Sequence, residues 1–263
     1  MKIVTFNLRY EWQGADGANA FIHRAGFIYD KIVRERPSII GFQEVVPQAL
    51  TLLRRMLAEY EFFGGMRTER HDGEGVYFAF LREDLVALGG DVFWLSPTPY
   101  LPGSRFPVQS KLPRVGVYLR LAERASGEIY HLFNLHLDYI SEEAARLGLT
   151  AALDYIASRG VCIDRDRTVI LGDFNVTPES PALAPLAACE WLADATATLA
   201  GSFHDFGRRK NAAGEREDAK IDYIFLSRAL LGRVAGVSLW QDEDGGIYLS
   251  DHYPICLALG DRG

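Results

Sequence analysis

Residues 167–175 read RTVILGDFN. Thr168 to Leu171 are aliphatic and β-branched, the signature of a strand covered on both faces. Gly172 ends the run, and Asp173 and Asn175 follow at once. A Gly-Asp-x-Asn step directly after a buried strand has few reasons to exist for packing alone. It places a carboxylate and a carboxamide on a rigid strand end, which suits a preorganised site.

Similar steps recur on both sides of this one. Asn7 follows IVTF, Glu44 follows IIGFQ, and His136 closes YHLFNLH. Asp222 lies in AKIDYIFLS, and Asp251 with His252 lies in LSDHYPI. Between them run segments of helical period. Residues 20–35 carry Phe21, Ala25, Ile28, Ile32 and Val33 on one face before Pro37 stops the helix. Residues 47–59 carry Leu50, Leu53 and Leu57, and residues 142–158 begin with a pair of glutamates. Strands are expected over 2–8, 38–43, 75–82, 91–95, 114–121, 128–137, 167–171, 220–226, 234–239 and 253–259. A short helical stretch is expected over 180–188. Residues 96–113 hold five prolines and no period, and read as a long functional loop. No repeat or linker interrupts the pattern, so residues 1–263 read as one mixed α/β domain with two sheets and outer helices.

Composition narrows the possibilities. The chain has 263 residues, 28 Lys plus Arg and 35 Asp plus Glu, a formal charge of −7. Its size allows roughly 73% of the unfolded surface to be buried, enough for a core without disulfides. The acidic balance argues against a protein that coats duplex DNA through bulk charge. Cys162, Cys189 and Cys256 are odd in number and form no CxxC pair. They read as small buried hydrophobes in a reducing compartment. The N-terminus has no signal-peptide pattern and no apolar run could span a membrane, so a cytoplasmic protein is expected.

The polar residues also cohere chemically, although each taken singly is more often a turn or core residue. Glu44 and Asp251 are hard oxygen ligands that favour Mg²⁺ or Mn²⁺ over zinc, and Asn7 could join them on the ion. Asp222 and His252 could pair, the carboxylate fixing the imidazole tautomer. Asp173 could accept a proton from water that Asn175 orients. His136 and Arg114 could brace charge on phosphoryl oxygens.

The ordered set TFNLR, GFQEV, LPRVG, NLHLD, LGDFN, KIDYIF and SDHYPI resembles the endonuclease/exonuclease/phosphatase superfamily from residue 5 to residue 254. The resemblance implies a DNase I-like fold, a four-layer α/β sandwich of two packed mixed sheets flanked by helices. It implies a Mg²⁺-dependent hydrolase in which Glu44 is the principal metal ligand, with Asn7 and Asp251 near the same ion. Asp173 and Asn175 would activate and orient water, His252 with Asp222 would form the catalytic pair, and His136 and Arg114 would contact phosphate. Asn7 is also expected beside the substrate, and so is His204 in GSFHDF. Tyr139 departs from the family pattern, in which histidine often follows HLD.

The expected substrate is a phosphodiester of a nucleotide or of short single-stranded nucleic acid. A small phosphorylated metabolite or lipid headgroup is the alternative, and a silent binding module on the same fold is a remote one. A monomer is expected.

Overall fold

The computed structural model describes residues 1–10 and 14–260. In chain order the principal elements are β1 (Lys2–Asn7), α1 (Phe21–Glu35), β2 (Ile39–Val45), α2 (Pro47–Met56), β3 (Tyr60–Met66), β4 (Gly75–Leu81) and β5 (Leu85–Trp94). There follow β6 (Val115–Glu123), β7 (Ile129–His136), α3 (Glu142–Ser158), β8 (Arg167–Asp173), α4 (Ala184–Ala187), β9 (Leu192–Asp194) and β10 (Asp222–Ser227). The chain closes with α5 (Arg228–Leu231), β11 (Val234–Leu239), β12 (Glu243–Asp244), β13 (Ile247–Tyr248) and β14 (Ile255–Leu259).

Two six-stranded sheets carry the fold, in the orders β11-β14-β1-β2-β4-β3 and β5-β6-β7-β8-β10-β9. Each holds one parallel pair, β1 with β2 and β7 with β8, among antiparallel neighbours. Inward-facing Ile3, Ile39 and Phe78 of the first sheet meet Val117, Leu132, Leu171 and Ile224 of the second in a buried layer. The outer face of the first sheet is covered by Ile28 and Ile32 of α1 and Leu53 of α2. Ala145, Leu149, Ala152 and Ile156 of α3 cover the outer face of the second. This is the four-layer sandwich that the sequence implied. Among the described residues no helix is long and apolar enough to cross a membrane, and all three cysteines are free thiols.

Local rules explain most boundaries. α1 ends at Arg36, in the left-handed conformation with φ 46°, just before Pro37. α2 opens on Pro47 at its first turn. α3 is capped by Ser141, whose side chain accepts from the Ala144 N–H, and its first turn holds Glu142 and Glu143 against the helix dipole.

The departures are equally physical. α2 stops at Met56, short of Glu59, because the chain turns into β3. That strand was not legible: Glu61, Gly64 and Gly65 break its alternation, and it is an edge strand paired only to β4. β5 begins at Leu85, six residues before the expected start, and the register shift between Ala87 and Gly89 hid its first half. The short β9 and α5 also carried no readable period. The stretch expected as one short helix is a 3₁₀ turn, Pro181–Leu183, followed by α4.

Gly172 is fixed by sterics. Its φ is +143°, and a Cβ built there would lie 1.9 Å from the Leu135 carbonyl oxygen of β7. Gly172→Ala should therefore force β7 and β8 apart beside Asp173, costing about 3 kcal/mol or more. Urea unfolding of the variant checks this, with unchanged stability as the contrary result.

Candidate active site

Register assembles the site. β7 and β8 run parallel with His136 opposite Asp173, and β8 and β10 run antiparallel with Asp173 opposite Asp222. These three residues therefore stand side by side at one edge of the second sheet. In the first sheet, β1 and β2 end at the same edge with Asn7 opposite Gln43, one residue before Glu44. β14 runs the other way, so Asp251 and His252 just before it arrive there too. A cleft of about 770 Å³ opens at this edge. Glu44, Asp173, Asn175, Arg114, His136, Asp251 and His252 all line it.

Asn7 joins the two sheets. Its Nδ2 donates to Glu44 Oε1 at 3.1 Å and to Asp173 Oδ2 at 2.9 Å. Glu44 Oε2 accepts the Tyr10 backbone N–H at 2.5 Å. Asp173 Oδ1 accepts the Asn175 N–H at 2.9 Å, and the Asn175 side chain donates to the Leu137 carbonyl at 3.1 Å. Glu44 and Asn175 both take left-handed backbone, φ 58° and 55°. Such non-glycine conformations cluster where function fixes a side chain.

His252 Nδ1 lies 2.8 Å from Asp222 Oδ2, which also accepts the Ser202 hydroxyl at 2.6 Å. His252 Nε2 faces Asp173 Oδ2 at 3.9 Å, and His136 Nε2 lies 3.7 Å from the same oxygen. Arg114 Nη1 donates to His136 Nε2 at 3.1 Å, so His136 carries its proton on Nδ1. Burial pulls the two histidines alike, but their neighbours part them. Burial and then Arg114 hold His136 well below its usual range, so it is neutral. Burial is outweighed at His252 by Asp222, Asp173 and Asp251, which push it up to about 10 and keep it charged. Asp173 is pushed up to about 7 by burial and by the charge of Asp222. Burial also raises Asp251, with Glu44 adding to the effect and His252 opposing it.

Two groups of side chains bring ligand atoms within 4.8 Å of one another: Glu44 with His136 and Asp173, and Asp173 with Asp222 and His252. The donors are mostly carboxylate oxygens, and burial with mutual repulsion disfavours their negative charge. Both facts fit a hard divalent cation.

The gathering differs from expectation at three residues. Asn7 is 1% exposed and does not line the cleft; its amide hydrogens are taken by Glu44 and Asp173, and its Oδ1 accepts the Arg9 N–H at 2.8 Å. Its amide fixes Glu44 and Asp173 relative to each other. His204 is fully buried and stacks on Tyr253 with ring centroids 3.8 Å apart, so the loop borders the cleft while this ring does not. Burial pulls it down to about 3. Asp251 belongs to neither ligand group, and Arg9 Nε approaches its Oδ2 at 3.6 Å.

Several lining residues escaped the sequence reading. Arg9 sits inside TFNLR and pairs with Asp16 and Asp251. Phe203 lines the cleft with its ring centroid 4.9 Å from that of His252. Arg67 and Glu74, a bidentate pair at 2.7 and 3.0 Å, lie at the end of the unrecognised β3 and just before β4.

Residues 4–252 match the Endonuclease/Exonuclease/phosphatase family. The chain belongs to that family, whose members hydrolyse phosphate esters. It is similar to the endonuclease/exonuclease/phosphatase from Bacteroides vulgatus, at 29% identity and TM-score 0.86 over 98% of each chain. At 21% identity it shares the fold of a mannosyl-6-phosphatase from Bacteroides thetaiotaomicron, TM-score 0.85 over 98% of this chain and 99% of that one. At 18% identity it shares the fold of TDP2 from D. rerio complexed with a single strand DNA product, TM-score 0.74 over 98% and 97%. No curated protein matches the sequence.

Replacing Asp222 with Asn removes the charge that raises His252. The His252 titration, followed by NMR of the ring protons, should fall well below about 10, since burial is then opposed only by Asp173 and Asp251. A titration that stays near 10 would show that Asp222 is not the cause.

Proposed function

We propose that this protein is a divalent-metal-dependent phosphoesterase that works by attack of activated water on phosphorus. The observation that carries the reading is the position of Asp173 Oδ2. It is hydrogen-bonded to Asn7, 3.9 Å from His252 Nε2 and 3.7 Å from His136 Nε2. A base, an acid and a neutral imidazole thus surround one small space.

Glu44 and Asp173 would hold the cation, Mg²⁺ or Mn²⁺, with Asp251 nearby. Bound there, it would supply Lewis-acid stabilisation of the charge that builds on the phosphoryl oxygens. The remaining work falls to side chains. Asp173 accepts the proton of the attacking water, and His252, already charged, donates its Nε2 proton to the departing oxygen. Asn175 fixes Asp173 through its backbone N–H. Arg114 braces phosphoryl oxygen from beside His136, and Asp222 keeps His252 oriented and charged.

The cleft favours a short substrate over a polymer. Three arginines of the loop before β10, which could track a nucleic-acid backbone, are paired within that loop. Arg208 pairs with Asp205 at 2.7 Å, Arg209 with Glu217 at 3.8 Å and Arg216 with Asp218 at 3.2 Å. That pairing supports the metabolite alternative over the nucleic-acid phosphodiester. Both sheets contribute to the one cleft, which supports residues 1–263 acting as one catalytic domain.

Glu44→Ala and His252→Ala should each lower turnover of a reactive phosphate ester by ~10²-fold or more. Chelator should abolish wild-type turnover, and Mg²⁺ or Mn²⁺ should restore it. Wild-type rates in either purified variant would refute the mechanism. Turnover should also change little with salt, whereas a polymer substrate would lose affinity by about one power of salt per phosphate contacted.

A further inference from the structure

A second cavity of about 390 Å³ adjoins the catalytic cleft, and Tyr139 and Asn175 form the wall common to both. Beyond that wall the lining changes character. The catalytic side sets Arg9, Arg67, Arg114 and His252 among the carboxylates of Glu44, Glu74, Asp173, Asp205 and Asp251. Among the described residues the outer side holds no cationic side chain; its charged residues are Asp138, Glu142 and Glu179. Both Asp138 oxygens are already occupied, by the N–H groups of Ser110, Ile140 and Ser141. Glu142 accepts the Ser180 hydroxyl through one oxygen only. Glu179 and Thr177 are exposed.

Tyr139 is 58% exposed although it stands at the junction of two cavities. The Arg114 guanidinium lies over its ring, 5.5 Å from the centroid. One face of the ring is thereby engaged by a cation that is itself buried and held beside His136. The other face is an apolar platform at the point where an ester's leaving group would emerge from the cleft.

We propose that Tyr139 and the cavity beyond it are the leaving-group subsite, and that the group it accepts is a neutral polyhydroxy compound, a sugar or polyol. The inference rests on the phosphoesterase reading above and adds the substrate class. Carboxylates and hydroxyls with no cation repel a second phosphate, so the next unit of a nucleic acid is disfavoured there. They do accept hydrogen bonds from alcohol groups. A ring face already polarised by Arg114 suits the C–H face of a sugar better than a second cation. In the reaction water adds OH to phosphorus, the P–O bond to the polyol breaks, and the departing oxygen takes the proton. The products are phosphate and the free polyol.

The test compares a hexose 6-phosphate, methyl phosphate, phosphoethanolamine and a thymidine dinucleotide as substrates of the full-length enzyme with Mg²⁺. Wild type should prefer the hexose phosphate. In Tyr139→Ala the ratio of kcat/KM for hexose phosphate over methyl phosphate should fall roughly fivefold to tenfold, the size of one stacking contact, mainly through KM. Tyr139→Phe should keep the ratio, because the ring face remains. Glu179→Lys, at an exposed position, should improve the dinucleotide relative to the hexose phosphate by several-fold.

A ratio unchanged in Tyr139→Ala would overturn the subsite. So would a wild-type preference for the dinucleotide or phosphoethanolamine. If no ester turned over at all, the phosphoesterase reading would fail separately, and calorimetric titration of hexose 6-phosphate into wild type and Tyr139→Ala would still decide the subsite. Equal affinity in that titration, or no binding, overturns it.

Discussion

One amide group ties the two halves of the molecule together at the place where chemistry is concentrated. Asn7 Nδ2 has two hydrogens; one goes to Glu44 of its own sheet and the other to Asp173 of the opposite sheet. No other uncharged side chain of that size offers two donors from one atom. The sheets must therefore meet at a fixed spacing, and the layer beneath enforces it. Asn134 donates to the Phe42 and Tyr77 carbonyls and accepts from Gln43 Nε2 at 2.7 Å. Gly41 permits the approach, since a Cβ there would lie 2.3 Å from Leu171 Cδ1. Gln43 Oε1 is left without a partner, but the remaining bonds of this buried network still favour one arrangement of the core where apolar packing alone would tolerate several.

The same spacing creates an electrostatic problem. Asp173, Asp222 and Asp251 are each at most 3% exposed. Burying carboxylates together disfavours their ionised forms, and the structure shows the response in the raised Asp173 and Asp251. His252 absorbs part of that cost by remaining charged. For His252 the linkage has a definite sign. Its folded value, about 10, exceeds the ordinary value of about 6.5, so its contribution to stability is complete below 6.5 and is lost as pH rises through 10. Asp173 has the same sign in a lower window, because its raised value means that stability is lost as pH climbs from 3.8 to about 7, above which the ionised form is a burden on the fold. A cation between Glu44 and Asp173 would relieve this directly.

The layers were legible in the sequence because buried strands and amphipathic helices carry strong periods. α3 and β11 even agree residue for residue with the expected 142–158 and 234–239. Clustering at one edge was legible because Glu44, Asp173 and His252 each sit at the end of an apolar run. What could not be read was direction within the cluster. Asn7 and His204 are polar residues in motifs, and nothing in one dimension says that their hydrogen bonds turn inward. Arg67 was invisible for a different reason. Its strand is an edge with two adjacent glycines, so neither period nor composition marked the segment.

The two cavities show how an acidic protein can hold an anionic ester without a basic surface. Arg114 lies in the inner cleft at 4% exposure, where low dielectric strengthens its charge. Its Nε has no hydrogen-bond partner, and the nearest carboxylate oxygen, of Asp138, stands 3.9 Å away. Such an arginine is incompletely satisfied by the protein itself, which leaves attraction available for a phosphoryl group. Outside the cleft Glu142 and Glu179 stand with no cation among the described lining residues. A substrate with one phosphate and a neutral remainder meets the favourable field on one side of Tyr139 and avoids the unfavourable field on the other. A chain of phosphates could not do both, so on the proposed reading selectivity would follow from where the charges lie.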